Sequence, residues 1–163
     1  MPLTDDMYAA IGRVTVNFQM LEAAIMMTTG ALLSSDPKVG QIATSQLSFD
    51  RLCTTLDGLL RHLVPDQQMH TLLTAALAKA SSAEQLRNTI LHSFFLAHEE
   101  PDRPGATRAK VMVRRGRGLR IDMADQDAAS LNGAAEEILK AWSEFVQVMT
   151  ELEARGIIAF PAA

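Results

Sequence analysis

The sequence predicts an all-α fold, an up-and-down helical bundle of four long helices and a short one, with a basic β-hairpin inserted before the last helix. Three observations lead there. Apolar residues recur at three- and four-residue steps over runs long enough for helices. Breakers and caps at Ser34–Pro37, Ser48, Pro65 and Glu99–Gly105 punctuate those runs. One stretch, about residues 107–123, switches to alternation around a glycine-containing turn. At 163 residues the chain suits a single domain over 1–163, large enough to fold without disulfides or a structural metal.

The first helix runs from Asp5 to Leu33, capped by Thr4 or Asp5, with Ile11, Val14, Phe18, Leu21, Ile25, Thr28 and Leu32 on one stripe. A short helix follows from Lys38 to Thr44. Ser48 then caps a helix carrying Leu52, Leu56, Leu59, Leu60 and Leu63, which Pro65 ends. The next helix is expected from Asp66 to about His98. Beyond it, Arg108–Arg114 and Leu119–Met123 alternate on either side of Arg115-Gly-Arg-Gly118, a β-hairpin pattern. Its apolar face, with Ala109, Val111, Val113, Leu119 and Ile121, is expected on the helices, leaving Arg108, Lys110, Arg114 and Arg120 in solvent. The last helix begins near Asp125 or Asp127, ends at Ala154, and turns Leu131, Ala135, Ile138, Trp142, Phe145, Val148, Met149 and Leu152 inward.

Charge is unevenly placed. Seven basic and no acidic residues lie between Arg103 and Arg120, and the remainder carries eight basic against 19 acidic groups. A compact cationic patch on an acidic body suits a polyanion, so Arg108, Lys110, Arg114, Arg115, Arg117 and Arg120 are candidate RNA contacts. The bland alternative is edge protection, since exposed strands often carry Lys and Arg. The single cysteine, Cys53, and an acidic N-terminus point to a reducing compartment and no signal peptide. Asn17, Gln19 and Glu22 interrupt the most apolar span, as in a buried helix. The expectation is a cytoplasmic protein with no membrane segment.

Several chemistries lack their signatures. There is no G-x-x-x-x-G-K loop, no G-x-S-x-G elbow and no C-x-x-C pair. His62, His70, His92 and His98 never fall at metal-ligand spacing, so no metal or cofactor is expected. Cys53, set between Leu52 and Leu56, reads as a small core residue.

What remains is Glu84-Gln-Leu-Arg87-Asn88-Thr-Ile-Leu-His92-Ser-Phe-Phe95. Helical spacing puts Glu84, Asn88 and His92 on one polar stripe, with Leu86, Ile90, Phe94 and Ala97 on the opposite, core-directed face. Leu91, Phe95 and Leu96 make this segment apolar almost all round, which predicts a homodimer through the face bearing Asn88, His92 and Phe95. Arg87 can swing across Asn88 toward His92, uniting a fixed cation with a titratable imidazole.

Arg87-Asn88-x-x-x-His92 resembles the R-N-x-x-x-H signature of HEPN domains. Gly12 followed by Phe18-x-x-Leu21-Glu22-x-x-Ile25, and Phe49-Asp-Arg-Leu52-x-x-x-Leu56-x-x-Leu59, add to the likeness. The resemblance covers about residues 5–154; its specific part is the Arg/Asn/His core, and the basic hairpin is not part of it. It implies a metal-independent ribonuclease, of the toxin or antiphage type, built as a homodimer whose motifs meet across a shared cleft. His92 would then transfer the proton, Arg87 would stabilise charge on the phosphate, and Asn88 would orient them. Glu84 and Glu22 would stand behind Arg87. The products would be a 2′,3′-cyclic phosphate and a 5′-hydroxyl, and a toxin of this kind implies an inhibitor protein, an antitoxin. A non-catalytic HEPN-like dimer that binds RNA or a protein partner uses the same residues.

Overall fold

A computed structural model describes residues 2–98, 105–114 and 118–160, with Arg114 described in its backbone alone. Among these residues the chain forms five helices and one small antiparallel sheet. Helix α1 (Asp5–Leu33) starts where the Thr4 hydroxyl accepts the Met7 N–H. Its expected stripe faces the core: Val14, Phe18, Leu21, Ile25 and Thr28 are buried, with Ile11 and Leu32 packed at the margin. By length and composition α1 could cross a membrane, yet ten of its residues, from Met7 to Gly30, lie inside the core of this domain. Asp36 caps α2 (Pro37–Thr44), which starts one residue earlier than expected because Pro37 occupies the first helical position. Ser48 caps α3 (Phe49–Leu63), which buries Leu52, Leu56 and Leu60 and leaves Leu63 exposed.

Asp127 and Ser130 make a reciprocal capping box at the start of α5 (Ala128–Ala154), which decides between the two expected starts. From α5, Leu131, Ala135, Ile138, Phe145, Val148 and Leu152 are buried, while Trp142 and Met149 pack at the core's edge. Helix α1 touches α2, α3, α5 and α4 (Gln67–Leu91), and α4 also packs on α3 and α5, so one core serves the five helices. Asp66 caps α4 through the Gln68 and Met69 N–H groups.

Helix α4 stops at Leu91, seven residues short of the expected end at His98. His92 closes it with φ −100° and ψ 28°, and the Ser93 hydroxyl turns back to the Thr89 carbonyl at 2.5 Å. Phe94–Ala97 is instead strand β1, paired antiparallel with β2 (Ala106–Arg114), which pairs in turn with β3 (Gly118–Gln126). The expected hairpin over 107–123 is therefore longer, and it belongs to a three-stranded sheet. The reason is a partner distant in sequence: an aromatic and apolar run suits a strand as well as a helix once β2 offers it a ladder. Gly105 leads into β2 at φ +129°, where a Cβ would also lie 2.5 Å from the Gln126 carbonyl oxygen, so only glycine fits.

The sheet lies the other way up from the expectation. Arg108 is buried and Lys110 half-buried, whereas Val111, Val113, Leu119 and Ile121, expected on the helices, are exposed together with Phe94, Leu96 and Met123. Phe94, assigned to the core face of α4, thus projects to the outside. Strand alternation separates two faces but does not say which is inner. Here the end of α4 draws in the cationic face: Lys110 Nζ donates to the Asn88 carbonyl at 3.2 Å and Arg108 Nη1 lies 3.4 Å from Ser93 Oγ, while Asp122 Oδ2, on the same face of the sheet, accepts from Arg108 Nη2 at 2.7 Å and offsets its charge.

Candidate functional site

Arg87 and Asn88 occupy the last turn but one of α4, and His92 is its cap. Arg87 Nη1 donates to Asn88 Oδ1 at 2.8 Å, and its guanidinium lies over the Phe18 ring of α1, 5.2 Å from the centroid. Arg87 Nε is buried with no hydrogen-bond partner among the described residues. The arginine thus turns toward α1 and does not reach across Asn88; no hydrogen bond joins it to His92. The His92 imidazole is exposed and makes no side-chain hydrogen bond among the described residues, while its backbone N–H bonds to the Asn88 carbonyl at 3.3 Å. Asn88 is the meeting point: its side chain takes Arg87, and its carbonyl takes both the His92 N–H and Lys110 Nζ.

Glu84 and Glu22 are half-buried and form no ion pair with Arg87; Glu22 accepts from Gln19 at 3.3 Å. Both act on Cys53 instead. Burial pushes the Cys53 thiol up to about 12, with the negative charges of Glu84, Asp50 and Glu22 adding to the effect. A thiol held neutral this firmly is no nucleophile near neutral pH. Among the described residues no group of three or more His, Cys, Asp or Glu side chains could hold a metal ion.

Of the expected RNA contacts, Arg108 is enclosed, with Nη1 3.4 Å from Ser93 Oγ besides its ion pair to Asp122. Lys110 is committed to the end of α4, with Thr89 Oγ1 at 3.5 Å as a second neighbour. Their exposure to solvent, expected from alternation, is corrected by that packing. Arg120 is exposed. Arg115, Arg117 and the side chain of Arg114 lie outside the described residues. The Asp122 carboxyl is held below its ordinary value chiefly by the hydrogen bond from Arg108, then by the charges of Arg108, Arg120 and Lys110. The role of Lys110 at the motif went unforeseen, since no local pattern links it to a carbonyl 22 residues earlier.

Compared with known proteins, the chain matches no family model, no curated protein and no solved structure.

Proposed function

We propose that the chain is a metal-independent RNA endonuclease of the HEPN type, a cytoplasmic up-and-down bundle that acts as a homodimer through a composite Arg87, Asn88 and His92 site. Its kind is the toxin or antiphage effector, controlled by an inhibitor protein. One observation carries the reading: an imidazole with no side-chain hydrogen bond among the described residues stands exposed at the end of α4, one turn beyond an arginine and asparagine already joined at 2.8 Å. In this reaction His92 takes the proton of the RNA 2′-hydroxyl as that oxygen attacks the adjacent phosphorus. The P–O5′ bond breaks, and the second imidazole of the dimer returns a proton to the leaving oxygen. The products are a 2′,3′-cyclic phosphate and a 5′-hydroxyl. Arg87 offsets the charge that builds on the non-bridging oxygens, and Asn88 holds it in place. Phosphate contacts away from the scissile bond fall to Arg120 and the hairpin-turn arginines, since Arg108 and Lys110 are engaged internally.

A second reading, a non-catalytic dimer that binds RNA or protein, is favoured by the same Arg87, whose Phe18 and Asn88 contacts suffice for a structural role. Purified protein, freed of any bound inhibitor and incubated with total RNA and a chelator, separates the two. Wild type should cleave and leave cyclic phosphate ends. His92→Ala and Arg87→Ala should each lose roughly 100-fold or more, and the double variant little beyond either single one. Equal cleavage by wild type and His92→Ala, or none by wild type, overturns the ribonuclease reading and favours the non-catalytic one.

A further inference from the structure

Helix α4 hands the chain to β1 through His92 and Ser93 alone. Its end lacks the common caps. No glycine follows to turn the chain at positive φ, and no basic residue stands in the last turn to meet the carbonyls a helix leaves unpaired, whereas α3 carries Arg61 and His62 there. Strand β2 supplies the cation instead. Lys110 Nζ lies 3.2 Å from the Asn88 carbonyl oxygen, with Thr89 Oγ1 a weaker neighbour at 3.5 Å, while Arg108 Nη1 reaches Ser93 Oγ, which itself donates to the Thr89 carbonyl. Lys110 and Arg108 flank Ala109, the residue that pairs with Phe94 at the first rung of β1. Both side chains therefore project from one face of β2, on either side of the point where the chain enters the sheet. Asp122 stands opposite Lys110 on β3, but its Oδ2 takes Arg108 at 2.7 Å, and the ammonium goes to the helix.

We infer that Lys110 is a positioning residue of the candidate site: it fixes the last turn of α4 and, through that turn, the place of the His92 imidazole. That imidazole makes no side-chain hydrogen bond among the described residues, so the backbone turn must direct it. The turn hangs on one carbonyl. Asn88 O accepts the His92 N–H at 3.3 Å, a long hydrogen bond, and the Lys110 ammonium besides. A cation is well placed there, because the carbonyl end of a helix carries the negative end of its dipole and a charged donor makes the stronger bond. Asn88 also holds Arg87 through its side chain, so one lysine bears on both members of the Arg87 and His92 pair. Lys110 is half-buried with its ammonium on the helix end, an arrangement that serves positioning and not phosphate binding. With only two residues between α4 and β1, any shift of that last turn is carried straight to His92. What His92 does rests on the ribonuclease reading; where it is held rests on these contacts alone.

Lys110→Met keeps the aliphatic stem and removes the donor, and two measurements on the full chain test its effect. Amide hydrogen exchange needs no RNA: the Leu91 and His92 N–H groups should exchange about tenfold faster or more in Lys110→Met than in wild type, with the amides of the buried stripe of α1 unchanged. In RNA cleavage at matched folded content, kcat should fall roughly 10- to 100-fold while KM stays within about twofold. Lys110→Arg, which keeps a charged donor, should recover most of that loss. Should Lys110→Met lose its fold, Lys110→Gln, one bond shorter than the lysine, carries the same comparison. Loss of the fold in both would make Lys110 a general stabiliser and overturn the inference. Unchanged exchange overturns it too. So does a wild-type kcat in Lys110→Met, above all with a raised KM, which is the mark of a phosphate contact. A wild type that cleaves no RNA, with exchange accelerated in Lys110→Met, overturns the ribonuclease reading alone; a wild type that cleaves, with exchange unaltered in the variant, overturns the role of Lys110 alone.

Discussion

Arg108 carries its charge at 6% exposure, and the contacts that make this tolerable are Asp122 Oδ2 at 2.7 Å and Ser93 Oγ at 3.4 Å. A charge out of water needs such partners, while its aliphatic stem gains from burial like any apolar chain. Arg108→Ala should therefore cost about 1–3 kcal/mol in urea unfolding, through the lost charged hydrogen bonds and the void left behind. Arg108→Met should recover most of that loss, because it fills the space and needs no counter-charge. A Met variant no more stable than the Ala variant would assign the stabilisation to the ion pair and not to packing. At this scale the sequence is ambiguous for a definite reason. Arg108 and Arg120 occupy the same face of the sheet, yet the first lies over Ser93 at the end of α4 and the second is exposed. The Arg87, Asn88 and His92 pattern was legible as a motif; that Phe18 and Lys110 would attend it was not, because both contacts join elements far apart in sequence.

Between elements, α1 and α2 meet backbone to backbone. A Cβ built on Gly40 would lie 2.6 Å from the Gly30 carbonyl oxygen, and one on Gly30 would lie 3.2 Å from the Gly40 carbonyl carbon. Backbone meets backbone there, so no side chain can yield. Gly40→Ala should destabilise the domain by about 1–3 kcal/mol as α2 is pushed off α1. Gly12→Ala, with open space around it on α1, should be neutral or slightly stabilising in the same thermal melts. Equal behaviour of the two variants would show that α2 moves freely. Helices α1, α3 and α5 follow from their periodicity and caps, because each stripe has its core contacts at a single period. The end of α4 does not: Leu91 to Leu96 is apolar in both periods, and pairing with β2 decides in favour of a strand.

Across the whole molecule, three carboxyl groups, at the start of α4, in β3 and at the start of α5, are each held below the ordinary 3.8. For Asp66 the Met69 N–H leads, with Gln68 and Arg155 of the α5 end assisting; for Asp122 it is Arg108; for Asp127 it is the Ser130 N–H. A folded value below the unfolded one adds stability that is present at neutral pH. That stability is lost as pH falls through about 4 toward the lower folded values. Melting temperature should therefore fall steeply below about pH 4. The triple variant Asp66→Asn, Asp122→Asn, Asp127→Asn should be less stable at pH 7 and show a shallower acid slope. An unchanged slope would place the acid response in other carboxylates.

The sequence by itself determined the helical class, the cap at Ser48, the starts of α1, α4 and α5 to within a few residues, the core stripes and the one constellation with chemistry in it, because these depend on neighbours within a few residues. The tertiary structure alone decided which face of the sheet is inner, where α4 ends, and what stands around Arg87 and His92. Alternation is symmetric under exchange of faces, and a strand cannot be distinguished from a helix end until its ladder partner arrives from elsewhere in the chain. Lys110 of β2 found its partner at the carbonyl end of α4 and Arg108 lies by Ser93 with Asp122 beside it on the same face, and the apolar residues that alternate with them were left facing outward.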